Sequence, residues 1–153
     1  MQEETRANRY LVPRGDEPYE SLLEIKRSDF IGHIKRVSTV EEARAYIESV
    51  RKTYHDARHV CSAFIIGADR DIQRSSDDGE PAGTAGVPMM QALLARQTRE
   101  DGTTDLSDVV AVVVRYFGGI KLGAGGLVRA YTDSVVQTLD GALFDSRERL
   151  RVG

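Results

Sequence analysis

The chain has a single cysteine, Cys61, no tryptophan and only four prolines. One thiol cannot form an internal disulfide, which excludes a disulfide-stapled scaffold and fits a reducing compartment. No stretch approaches the roughly 18 uninterrupted apolar residues that a membrane-spanning helix needs. The charged Met1–Arg9 segment also lacks the apolar run of a signal peptide. A cytoplasmic location is therefore expected. Cationic charge is scarce as well: 21 Lys and Arg face 24 Asp and Glu, a net charge of −3. That balance excludes a general cationic field, so any nucleic-acid contact must be local. No long run of like charges marks an interaction tail.

What is present suits one ordinary domain: 153 residues, 41% of them apolar, are enough for a core of usual size. Met1–Pro18 is polar and carries Pro13, Gly15 and Pro18, so it reads as a mobile lead-in. The domain is expected over residues 19–145, with a short tail over 146–153. From Leu22 to Val37 two apolar stretches flank Ser28-Asp29, the economical pattern of a β-hairpin. Ser38-Thr39 ahead of Glu41-Glu42 offers a capping box. Ala43, Ile47, Val50 and Tyr54 then predict a helix over about Val40–Tyr54. Val60–Ile66 reads as a strand, and Arg74–Gly86, dense in Ser, Asp, Gly and Pro, as a long loop.

Pro88, tolerated only in a first turn, sets a helix start near Ala85–Val87, and Met90, Leu93 and Leu94 give that helix its stripe. Arg99–Ser107 reads as surface loop. Val109–Val114 is continuously apolar and β-branched, the pattern of a central strand covered on both faces. Five glycines follow, and Val128, Tyr131, Val135, Leu139 and Ala142 then run at helical steps. The element order ββαβ, loop, αβ, loop, α makes this an α/β chain of the two-layer α+β kind.

Three segments could carry chemistry. In the first, Gly118, Gly119, Gly123, Gly125 and Gly126 lead into a helix whose free N–H groups suit a phosphate or carboxylate. Arg115, Lys121 and Arg129 could add charge there. The same glycines could equally serve only tight turns and close helix–strand contact. In the second, Asp77, Asp78 and Glu80 ahead of Thr84 could hold a hard cation or do acid/base work. A turn whose carboxylates bind nearby N–H groups, with Thr84 helping to cap a helix, is the favoured reading. The third is His55, His59 and Cys61, a metal or nucleophile set only if both histidines share a helix. The preceding helix should end there, which spoils that geometry, and His33 on a strand reads as structural. No cofactor or metal is expected.

The segments His55–Ala63 (HDARHVCSA), Ser76–Met89 (SDDGEPAGTAGVPM) and Val109–Tyr131 (VVAVVVRYFGGIKLGAGGLVRAY) resemble the conserved N-terminal domain of the YigZ/IMPACT family. The likeness extends more weakly over about Glu20–Leu139. It implies a fold like the fourth domain of elongation factor G and related ribosomal-protein domains, a mostly four-stranded sheet with helices on one face. It also implies a link to translational control and stress signalling. Bacterial members are expected to carry a further small C-terminal domain, whereas this chain stops at Arg149–Gly153. No catalytic residue is attached to the family. A binding module contacting RNA, the ribosome or a translation-associated protein through Asp77–Thr84 and Phe117–Gly126 is the first functional expectation. The alternatives are an enzyme on a small phosphorylated or peptide substrate using Asp77, Asp78 and Glu80, and a plain protein–protein module.

Overall fold

The computed structural model describes residues 9–148. Its elements run β1 (Arg9–Pro13), β2 (Tyr19–Ile25), β3 (Ser28–Arg36), α1 (Val40–Thr53), β4 (His59–Ile66), β5 (Ile72–Ser76), α2 (Gly86–Ala95), β6 (Val109–Tyr116), α3 (Gly123–Asp140) and β7 (Phe144–Glu148). Strands β2-β3-β6-β4-β5 form one sheet whose neighbours are all antiparallel. Strands β1 and β7 make a separate antiparallel ribbon.

The α/β class stands, with five strands rather than four. The added strand is β5, whose last three residues, Arg74 to Ser76, fall in the stretch expected to be loop. Gln73 to Ser76 are exposed on this sheet edge, so no burial pattern marked them as a strand. The β2–β3 hairpin turns at Lys26-Arg27, where both residues have positive φ (48° and 66°). That is the backbone of a type I′ turn, usually given to Asn or Gly. Ser28 and Asp29 lie within β3, with Leu23 opposite Phe30 holding the register.

Strand β6 explains the sheet's middle. Its side chains alternate, so Val110, Val112 and Val114 join one core with Val60, Phe64, Val50 and Ala43. Val109, Ala111 and Val113 join the other, with Phe30, Cys61, Met89, Leu93, Tyr131 and Leu139. A continuous apolar run is what two covered faces demand. Helix α1 therefore lies on one face and α2 with α3 on the opposite one, in place of helices gathered on a single face. Periodicity shows that a helix has an apolar stripe but not which side of the sheet receives it. Helix α1 starts as expected: Thr39 Oγ1 accepts the Glu42 N–H at 3.1 Å, and Glu42 Oε2 accepts the Ser38 N–H at 2.9 Å.

Two expectations at the chain's flanks change. Arg9–Pro13 belongs to a strand with Tyr10 and Val12 buried, instead of a mobile lead-in, while residues 1–8 lie outside the described residues. Phe144–Glu148 is likewise a strand, which takes in the start of the expected tail. Tyr10 Oη donates to Asp108 Oδ2 at 2.8 Å, and Arg147 Nη1 donates to the same oxygen at 2.8 Å, fastening the ribbon to the domain. The loop after α2 ends buried at Asp105, Leu106 and Ser107. Among the described residues no helix is long and apolar enough to cross a membrane.

Candidate functional site

The acidic loop leaves the end of β5 and returns to α2, and each of its carboxylates is held by a donor of the protein itself. Ala85 precedes α2 but has no side-chain oxygen to cap it. Asp77 does so instead: Oδ1 accepts the Ala85 and Gly86 N–H groups at 3.1 and 2.8 Å, and Oδ2 accepts the Gly83 N–H at 2.9 Å. Burial alone would raise its pKa, but these three bonds outweigh it and hold the carboxyl below its ordinary value. Thr84 takes no part in the cap, since its hydroxyl donates to the Pro81 carbonyl at 2.6 Å.

Asp78 faces the other way, towards β4 and α1. Its Oδ2 accepts the Val60 N–H at 2.8 Å and Arg51 Nη1 at 3.0 Å. Its carbonyl receives His59 Nδ1 at 2.9 Å, so that ring nitrogen carries the proton. Glu80 is buried most deeply. Arg115 Nη1 lies 2.8 Å from each of its oxygens, Tyr131 Oη donates to Oε2, and His59 Nε2 stands 3.5 Å from Oε1. A carboxylate so occupied is a structural anchor, and the three together do not present a free acid/base pair.

Arg115 corrects the expectation of an exposed anion ligand. Odd-numbered positions of β6 face α2 and α3, so its side chain enters the molecule between the rings of Phe30 and Phe117, 5.9 and 5.6 Å from its guanidinium carbon. Phe30 in turn meets Tyr131 edge-on at 5.3 Å. Arg115, Glu80 and Tyr131 thus join the acidic loop, the end of β6 and α3 in one buried cluster.

Cys61 sits beneath this cluster. It is fully buried and donates to the Asp77 carbonyl at 3.1 Å. Burial, reinforced by the neighbouring Glu80, Asp78 and Asp77 carboxylates, pushes its thiol up to about 12 against the opposing Tyr131 contact, which keeps it protonated and un-nucleophilic at neutral pH. His55 lies beyond the end of α1 and His59 in β4, so the two histidines never share a helix. His33 is buried on β3 with Nδ1 3.3 Å from the Val112 carbonyl.

The glycine segment divides by position. Gly118 is required by contact: a Cβ there would run into the carbonyl of Arg27 at the hairpin turn. Gly119 and Gly123 hold φ of +95° and +74°, the region glycine favours. Gly123, Gly125 and Gly126 are the first turn of α3 itself, so the loop proper is only Phe117–Leu122. That first turn has no side-chain cap and no acidic residue. Around it Lys121 and Arg129 are exposed, as are Phe117 (46%) and Ile120 (42%). Sequence reasoning singled out neither Phe117 nor Ile120 as a contact, nor Tyr131 and Arg51 as anchors. Tyr131 had one usable signal, a hydroxyl within an apolar helical stripe that must find a buried partner.

Comparison with known proteins identifies the family. Residues 26–139 match the family described as the Impact N-terminal domain. The Bacillus subtilis IMPACT family member YvyE is 47% identical over 133 residues, covering 87% of this chain and 58% of its own. The Escherichia coli member YigZ is 46% identical over 132 residues, covering 85% and 60%. A crystal structure of a hypothetical protein superposes with a TM-score of 0.83 at 42% identity, over 92% of this chain and 65% of that one. The chain therefore spans about three fifths of the length of these curated relatives. By family match and by identity across most of its length, this chain belongs to the IMPACT family.

Proposed function

We propose that the chain is a cytoplasmic, translation-linked regulatory binding module that contacts RNA, the ribosome or a translation-associated protein through the segment Phe117–Arg129. One observation carries the reading. The uncapped first turn of the 18-residue helix α3 is exposed beside Lys121, Arg129 and two outward apolar side chains, Phe117 and Ile120. Free N–H groups and the helix dipole favour an anionic group there. The aromatic and aliphatic side chains add stacking and contact area that a bare ion does not use. The translational link rests on the family to which the chain belongs.

Loss of the acidic loop as a free chemical group favours binding over catalysis. Asp77, Asp78 and Glu80 hold α2, β4 and Arg115 in place, which makes the loop a brace behind the binding segment. The test is binding of the purified chain to ribosomes and short RNAs across a salt series, with Lys121→Ala/Arg129→Ala beside the parent. Salt-sensitive binding lost in the double variant supports the reading. Binding unchanged in that variant removes the site, because both residues are exposed and their loss leaves the fold intact.

A further inference from the structure

The opposite face of the sheet carries a cleft away from the glycine segment, bordered by the acidic loop only where Asp78 meets Arg51 and Ser76. It lies between α1 and the edge strand β5 and encloses about 350 Å³. Arg44 and Arg51 reach it from α1, two turns apart on one side of the helix. Arg74 reaches it from β5, where it stands opposite Phe64. Between these walls lie Ser62 and Ser76, directly opposite each other in the β4–β5 register.

The arginines are unevenly satisfied. Arg51 is held between Glu48 at 3.6 Å and Asp78 at 3.0 Å. Arg74 donates only to the Gln73 carbonyl, at 3.1 Å, and Arg44 has no hydrogen bond or ion pair among the described residues. Ser76 Oγ accepts the Asp78 N–H at 3.2 Å, which leaves its own proton free to donate. Arg51 is thus answered by two carboxylates, whereas Arg44 and Arg74 face the cleft with none, in a chain whose net charge is −3. Like charges gathered where acidic residues are plentiful repel one another unless an anion lies between them.

We propose that this cleft binds a phosphate monoester, its phosphoryl group held by Arg44, Arg51 and Arg74 with Ser62 and Ser76 donating from the floor. Guanidinium forks match the paired oxygens of a phosphoryl group. Three forks and two hydroxyls offer more donors than a carboxylate has lone pairs to use. The volume exceeds a bare ion, and Ile47 and Phe64 supply an apolar wall for the group the phosphate esterifies. The site stands apart from the α3 segment and does not depend on it.

The test follows backbone amide shifts while the chain is titrated, at constant ionic strength, with inorganic phosphate, with a nucleoside monophosphate and with short single-stranded RNA. Saturable shifts centred on Arg44, Arg51 and Arg74 are expected with both small phosphates, the ester binding more tightly. Arg44→Ala/Arg74→Ala, which removes two exposed side chains, should weaken that binding about tenfold or more. Lys121→Ala should leave it unchanged. Shifts that do not saturate, or that survive the double variant, would overturn the proposal. A response to RNA with none to either small phosphate would overturn it too, pointing to a nucleic-acid backbone in its place.

Discussion

Replacing Arg115 by alanine isolates what the buried cluster contributes. Glu80 and Arg115 side chains are 2% and 9% exposed, so solvent screens their attraction very little. Removing the arginine leaves the Glu80 carboxylate buried with a hydroxyl and an imidazole for company. Breaking such a pair on one side costs about 3–5 kcal/mol. In a domain of this size each kcal/mol lowers the melting temperature by about 2–4 °C, so a fall of about 6–20 °C is expected by circular dichroism. The paired change Glu80→Gln/Arg115→Met removes both charges and should cost much less than Arg115→Ala alone. A loss below about 1 kcal/mol for Arg115→Ala, the range of an exposed ion pair, would refute the buried anchor and return Arg115 to the anion-binding surface.

The glycines separate by site in the same assay. Gly118→Ala must displace the Lys26-Arg27 turn and should destabilise strongly, whereas Gly125→Ala meets open space inside a helix and should stabilise by about 0.5–1 kcal/mol. Cys61 should resist iodoacetamide in the native protein at pH 8 and react on unfolding. Because its folded value lies above the unfolded one, its contribution to stability is complete below about 9 and declines as pH rises towards about 12, which alkaline urea titrations would reveal. His33 has the opposite sign: burial lowers its pKa against the smaller pull of Glu20, so its contribution is present above about 6.5 and is lost as pH falls. Melting temperatures between pH 7 and 5 should decline less steeply in a His33→Gln variant.

Much of the fold was legible because the signals were periodic or chemical. The α1 stripe and cap, the doubly covered β6 run and the Pro88 restriction placed their elements within a residue or two. Strand β5 was hidden because an edge strand exposed to water carries no apolar alternation. Strand β1 was hidden because its partner, β7, lies more than a hundred residues away and five residues of chain hold too few positions to show a pattern. At the site, composition distinguished the acidic loop from ordinary surface but not a brace from a catalyst. That difference depends on where Arg115 points, which follows from strand parity. The Arg44, Arg51 and Arg74 cleft assembles from two distant segments and has no local motif at all.

The β1–β7 ribbon has a mechanical consequence. Arg9 stands opposite Glu148 and Pro13 opposite Phe144, so the flanking ends of the described domain emerge side by side. A force drawing those ends apart would load the ribbon one rung at a time, together with the Tyr10 and Arg147 bonds to Asp108, before it reached the strand pairs of the five-stranded sheet. Once Pro13 parts from Phe144, the pull would pass to Tyr19–Ile25, an outer strand of that sheet, and to the end of α3. The molecule would therefore yield to tension in two steps, a soft one at the ribbon and a stiff one at the core.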